Sequence, residues 1–111
     1  MEDEDLSRMS LTEVSEAIAK RKVSSEEVVR NSLSQLEKHE SSLNCLARLF
    51  TENVLEDSKK ADKELASGNS RGRLHGVPLA HKDMFYRAGQ ISACGSKICE
   101  KYIPETTATV L

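Results

Sequence analysis

Apolar residues recur at helical spacing through the first two-thirds of this chain, then give way to short apolar runs bounded by glycine and proline. Leu11, Val14, Ala17 and Ile18 fall on one face at the 3.6-residue period of a helix. Ser10 stands just before them and Glu13 three residues on, the spacing of a capping box. A second such start follows, with Ser24 and Glu27 as the box and Val23 and Val28 at the two hydrophobic-staple positions around it. Val29, Leu33 and Leu36 carry that stripe on to about Glu40, so the pattern predicts a helix pair over roughly residues 10–40. Leu43 to Phe50 is short and mostly apolar, which suits a strand. Thr51 is placed to cap a third helix, on which Val54, Ser58, Ala61 and Leu65 share a face, and Gly68 sits where a left-handed C-terminal residue is expected.

Residues 69–73 are polar and contain glycine, the composition of a loop. Val77 to Met84 then reads as a strand, with Pro78 tolerated near its beginning because the first residues of a strand need not donate to the ladder. Ile91 to Cys94 reads as a short extended piece, and a brief helical or irregular segment leads from Ser96 to Pro104. Thr106 to Leu111 has a hydroxyl followed by apolar residues, like the first turn of another helix. One turn does not offset its own nucleation cost, so a fragment of a longer protein is expected. The order helix, helix, strand, helix, strand predicts an α/β fold, with N-terminal helices packing on part of a mixed sheet.

Composition narrows the possibilities. At 111 residues the chain has room for one domain; 38% of its residues are hydrophobic and 31% charged. It has no Trp, two Phe and two Tyr, so little aromatic mass anchors a core and independent stability would be marginal. A net charge of −2 gives nucleic acid no electrostatic reason to bind. The acidic start, Glu2 to Asp5, opposes a secretory signal and suggests a solvated, disordered tail over residues 1–9 ahead of a domain at 10–111. No apolar run approaches the roughly 18 residues of a membrane span. Cys45, Cys94 and Cys99 are an odd number without disulfide spacing, which argues for reduced thiols and a cytoplasmic setting.

The candidate chemistry is sparse. Neither His75 nor His81 has a second ligand at metal-binding spacing, and Cys94 and Cys99 do not form a C-x-x-C pair. Gly72 and Gly76 are followed by no G-K-[ST], so nucleotide binding has no support and no cofactor is expected. What stands out is the run "LHGVPLAHKDM", Leu74 to Met84, an apolar strand that finishes on Lys82 and Asp83. A lysine at the edge of apolar surroundings loses part of its preference for the charged form. Once neutral it can serve as a general base, as in serine–lysine variants of the hydrolase triad. In most proteins such a pair simply marks the return of the chain to solvent, and spacing alone does not separate the two readings.

A resemblance does. The stretch "GRLHGVPLAHKDMFYRAGQISACGSKI" resembles the catalytic-lysine segment of the amidase signature family, approximately L-x-G-[IV]-P-[IVL]-x-x-K-[DE] followed by glycine and a small-residue segment ending in G-S. Leu74, Gly76, Val77, Pro78, Leu79, Lys82 and Asp83 match position by position, and Gly89 and Gly95-Ser96 follow at suitable distances. "PETTATVL" is similar to a later family segment, P-x-x-D-A-T-V-V, with Thr107 where an aspartate is usual. "VSSEEVV" and "LNCLARLF" are similar to the family's N-terminal region, so the likeness runs from about Leu11 to Leu111.

The resemblance implies part of an amidase-signature fold and a role for Lys82 as the neutral base of a Ser–cis-Ser–Lys triad that hydrolyses amides. It implies a small-molecule amide substrate for the complete protein. The family's two serines lie in a Gly/Ser-rich run well beyond the lysine, and this sequence has no such run. Ser92 and Ser96 lie too close to Lys82 to replace them. The expectation is therefore the lysine-bearing portion of an amide hydrolase, inactive alone. Two other readings stay open: part of the A subunit of a tRNA-dependent amidotransferase, and a non-catalytic binding or scaffold piece. "CGSKI" favours the amidotransferase branch, whereas "HKDMFYRAG" departs from its usual K-D-N. The oligomeric state is open too, a homodimer included.

Overall fold

The computed structural model describes residues 3–111, with side chains from Leu6 onward. The chain divides into two compact units, one ending at Pro78 and one running from Leu79 to Leu111.

The first unit is helical: α1 (Asp3–Arg8), α2 (Leu11–Ala19), α3 (Ser25–Leu43) and α4 (Thr51–Ala66). Where the sequence suggested a disordered tail over residues 1–9, residues 1 and 2 lie outside the described residues, and α1 occupies most of the remainder. Its Leu6 is 7% exposed and joins Val14, Ala17, Ile18, Val23 and Val28 in the core. Met9, Leu65 and Val77 pack against the same cluster. α3 packs on both α1 and α4.

Both predicted helix starts are present. Ser10 caps α2, its N–H donating to the Glu13 carboxylate at 2.8 Å while the Glu13 N–H donates to the Ser10 hydroxyl at 3.3 Å. Ser24 and Glu27 do the same for α3 at 2.7 and 3.1 Å. Val23 and Val28 meet in the core, as a staple requires. α2 ends with Arg21 in the left-handed region (φ 54), the Arg21 N–H donating to Ile18 and the Lys22 N–H to Ala17. α4 ends in the same pattern around Gly68 (φ 84), with the Gly68 N–H on Leu65 and the Asn69 N–H on Glu64. The expected cap at Thr51 is not made: Thr51 is the first helical residue, and Phe50 before it offers no side-chain bond.

The predicted mixed sheet is absent. No strand or bridge occurs among the described residues, and the architecture is α-helices and loops rather than α/β. Leu43 closes α3, and 44–50 is a loop whose first amides turn back to the helix: the N–H groups of Cys45 and Leu46 donate to the Glu40 carboxylate at 3.3 and 3.1 Å. Leu46 and Leu49 line a cavity of about 610 Å³ with Leu33, Leu36 and Leu55. Val77 to Met84 and Ile91 to Cys94 are likewise unpaired by any bridge. An apolar pattern can mark a segment suited to a sheet, but a strand exists only where a neighbour supplies the ladder of hydrogen bonds.

The second unit is held by loop-to-loop backbone bonds. The N–H of Gly89 donates to Pro104, that of Ser92 to Tyr102 and that of Ala108 to Tyr86, at 3.0, 2.9 and 2.8 Å. Tyr86 and Tyr102 stack edge to face with ring centres 5.5 Å apart. Lys97–Cys99 is a single 3-10 turn capped by the Ser96 hydroxyl. The chain closes on a turn in which Leu111 N–H donates to Ala108. Among the described residues no helix is long and apolar enough to cross a membrane.

Candidate functional site

The glycine of the lysine motif is built into a junction of the first unit. The α3 start accepts help from α4: the Asp62 carboxylate takes the N–H groups of Ser25 and Glu26 at 2.7 and 3.1 Å. With Ser24 and Glu27 bonded to each other, each N–H from Ser24 to Glu27 thus has an oxygen from this chain. Ser25 is 1% exposed, and its hydroxyl donates to the carbonyl of Gly76. Gly76 has φ 76, and a Cβ added there would stand 3.0 Å from both Cβ and Oγ of Ser25. The motif therefore needs glycine here for its backbone angle and for room.

His75, which had no second ligand at metal-binding spacing, is buried and bonded to backbone at both nitrogens. Its Nδ1 accepts the Arg71 N–H at 3.0 Å, which places the ring proton on Nε2, and that group donates to the Ala61 carbonyl at 2.7 Å. The Arg71 guanidinium forks onto Glu64 with two bonds of 2.7 Å. That pairing holds the Glu64 carboxyl below its ordinary range and raises the guanidinium. Ser25, Asp62 and His75 together fix the turn that leads into the motif. Apart from the local Arg71–His75 bond, their bonds run between residues 14 to 51 apart, which no local spacing rule reports.

Lys82 lies in the second unit and is exposed. Its amine makes no ion pair among the described residues. Its carbonyl accepts the Phe85 N–H at 3.0 Å and the His81 Nδ1 proton at 3.1 Å. The carbonyl of Asp83 accepts the Ser92 hydroxyl at 2.7 Å. Ser96 is occupied as a cap, so both serines that follow the lysine have structural partners. Of the residues singled out in sequence, the fold sets His81 next to Lys82 and leaves His75 in the first unit. Among the described residues no group of three or more His, Cys, Asp or Glu gathers as a metal site.

Comparison with known proteins adds the following. A family model described as amidase matches residues 27–111. The chain is 38% identical over 107 residues to a protein of Acidothermus cellulolyticus named as the A subunit of glutamyl-tRNA(Gln) amidotransferase, covering 96% of this chain and 21% of that one. It is 37% identical over 102 residues to the protein of the same name from Aromatoleum aromaticum, covering 92% and 21%. It is 36% identical over 110 residues to AmiD of Mycobacterium bovis, by its name a presumed amidase, covering 98% and 23%. The chain thus spans about a fifth of the length of the curated relatives it matches.

Proposed function

Since the chain belongs to the amidase family, we propose that it carries the base of an amide-hydrolysing centre and that this base is Lys82. The observation behind this is the match of Leu74, Gly76, Val77, Pro78, Leu79, Lys82 and Asp83 to the family's lysine motif, inside the matched region. In a Ser–cis-Ser–Lys triad the neutral amine takes a proton from the bridging serine. That serine in turn takes one from the nucleophile as it attacks the amide carbonyl. Backbone amides near the nucleophile hold the oxyanion. With no Gly/Ser-rich serine run in the sequence, the 111-residue chain supplies the base and lacks the nucleophile, so it is inactive alone. Three free cysteines favour the cytoplasm.

The complete centre would cleave an amide C–N bond, and the names of the relatives favour a second reading of the substrate. Acting on glutamine, the same centre would release ammonia for an amidotransferase, as the Acidothermus and Aromatoleum names suggest. The test has two parts. Ammonia release from glutamine and from simple aliphatic amides is measured with the 111-residue chain, where none above background is expected. It is then measured with the chain joined to a serine-bearing amidase segment, with and without Lys82→Ala. Loss of a triad member lowers turnover by about 10⁴-fold or more. Release by the chain alone, or a Lys82→Ala protein within twofold of the parent, overturns the proposal. Glutamine as the only substrate selects the amidotransferase reading.

A further inference from the structure

Ser92 is 2% exposed in a unit where most side chains face solvent. It reaches in two directions. Its N–H donates to the carbonyl of Tyr102 at 2.9 Å, and its hydroxyl donates to the carbonyl of Asp83 at 2.7 Å. The Asp83 carbonyl closes the short stretch that bears Lys82, whose own carbonyl is held by Phe85 N–H and by His81. Both peptides following the lysine are therefore tied, one locally and one by Ser92. Cys94, two residues on in a turn with left-handed backbone (φ 52), brings its Sγ to 3.8 Å from the same oxygen, a much weaker contact. The Ser92 proton is committed to a carbonyl, which leaves the hydroxyl a structural donor.

From this geometry we propose that Ser92 is a positioning residue for Lys82. Its buried hydroxyl fixes the Asp83 carbonyl and with it the turn on which the lysine stands. A general base must meet the proton it takes within about 2.6–3.2 Å, so drift of its backbone by about 1 Å is costly. The functional meaning rests on the reading of Lys82 as the base. The positioning itself is a property of the backbone, readable whether or not the amine ever takes a proton.

The test is site-resolved amide hydrogen exchange by NMR on the full 111-residue chain, comparing the parent with Ser92→Ala, Ser92→Thr and Cys94→Ala. Ser92→Ala is expected to speed exchange at Phe85 N–H by about tenfold, the ratio expected for one lost buried hydrogen bond. Gly89 and Ala108, bonded elsewhere in the unit, should stay within twofold of the parent. Ser92→Thr restores the donor and returns Phe85 to within threefold, while Cys94→Ala leaves it unchanged. Unaltered exchange at Phe85 in Ser92→Ala overturns the proposal. So does an equal rise at Gly89, Ala108 and Phe85, which would make Ser92 a general prop of the unit. Failure of the threonine to rescue while Gly89 and Ala108 stay protected, or a Cys94→Ala effect as large as that of Ser92→Ala, also overturns it. Loss of amide hydrolysis in the assays above has no bearing on this readout, so the two proposals fail separately.

Discussion

Two glycines of this chain adopt nearly the same backbone angle and ought to differ in cost when replaced. Gly68 closes α4 at φ 84 with open space around it, and Gly76 opens the lysine motif at φ 76 against the buried Ser25. An L-residue in the left-handed region costs roughly 1–2 kcal/mol, which is all that Gly68→Ala should lose. Gly76→Ala adds a contact at 3.0 Å that Ser25, itself bonded to Gly76, is poorly placed to relieve. Its loss should be greater by about 1–3 kcal/mol, the usual range for overpacking. Urea unfolding of both variants checks this, and equal losses would remove the steric part of the account. The same scale explains what sequence could show of the site. Lys82 and its neighbours were legible because a motif is a string. The partners of that string, Ser25 and Ser92, and the Asp62 that holds the Ser25 amide, are unremarkable polar residues until the fold sets their donors and acceptors opposite one another.

The helix starts were the most legible elements. A capping box is a local device, its two bonds spanning three residues, and both boxes formed as written. They also give the chain an acid sensitivity. Bonds from the Ser10 N–H, and then from its hydroxyl, hold the Glu13 carboxyl below its ordinary value, and Ser24 does the same for Glu27. A carboxyl lowered in the folded state adds stability that is present in full above its unfolded value. That contribution is lost as pH falls through the unfolded value toward the folded one. Helical circular dichroism should therefore weaken on acidification below roughly pH 4.3. A Glu13→Gln, Glu27→Gln protein should show a shallower acid limb, with the residual slope left to Glu16, Glu40 and Glu64. An unchanged limb would mean that the boxes contribute nothing to the pH dependence. Other elements failed for a physical reason. Leu11 satisfied the period yet is 52% exposed, while Val14, Ala17 and Ile18 of the same helix are buried. The predicted strands had suitable composition and no partner, and pairing is a property of two segments that neither one encodes alone.

At the scale of the molecule, large apolar residues remain in view, among them Leu43 and Leu79 from segments that sequence assigned to strands. Leu79, Ile98 and Val110 are 71%, 96% and 70% exposed, and Leu43 is 66% exposed. Uncovered apolar surface of this kind favours self-association. Sedimentation velocity should show a rise in apparent mass with concentration, reduced in a Leu79→Lys, Ile98→Lys, Val110→Lys protein. A chain that stays monomeric at about 100 μM would refute this. The opposite holds at the start of α3, where nothing is left open. Ser25 takes Asp62 from 37 residues on and gives its hydroxyl to Gly76 from 51 residues on. During synthesis, then, the amides that begin this helix leave the ribosome before Gly76 and must wait for it before the junction is complete. Until then the nascent helix relies on its own capping box, so the local sequence signal doubles as a temporary hold on a bond that only the later chain can make.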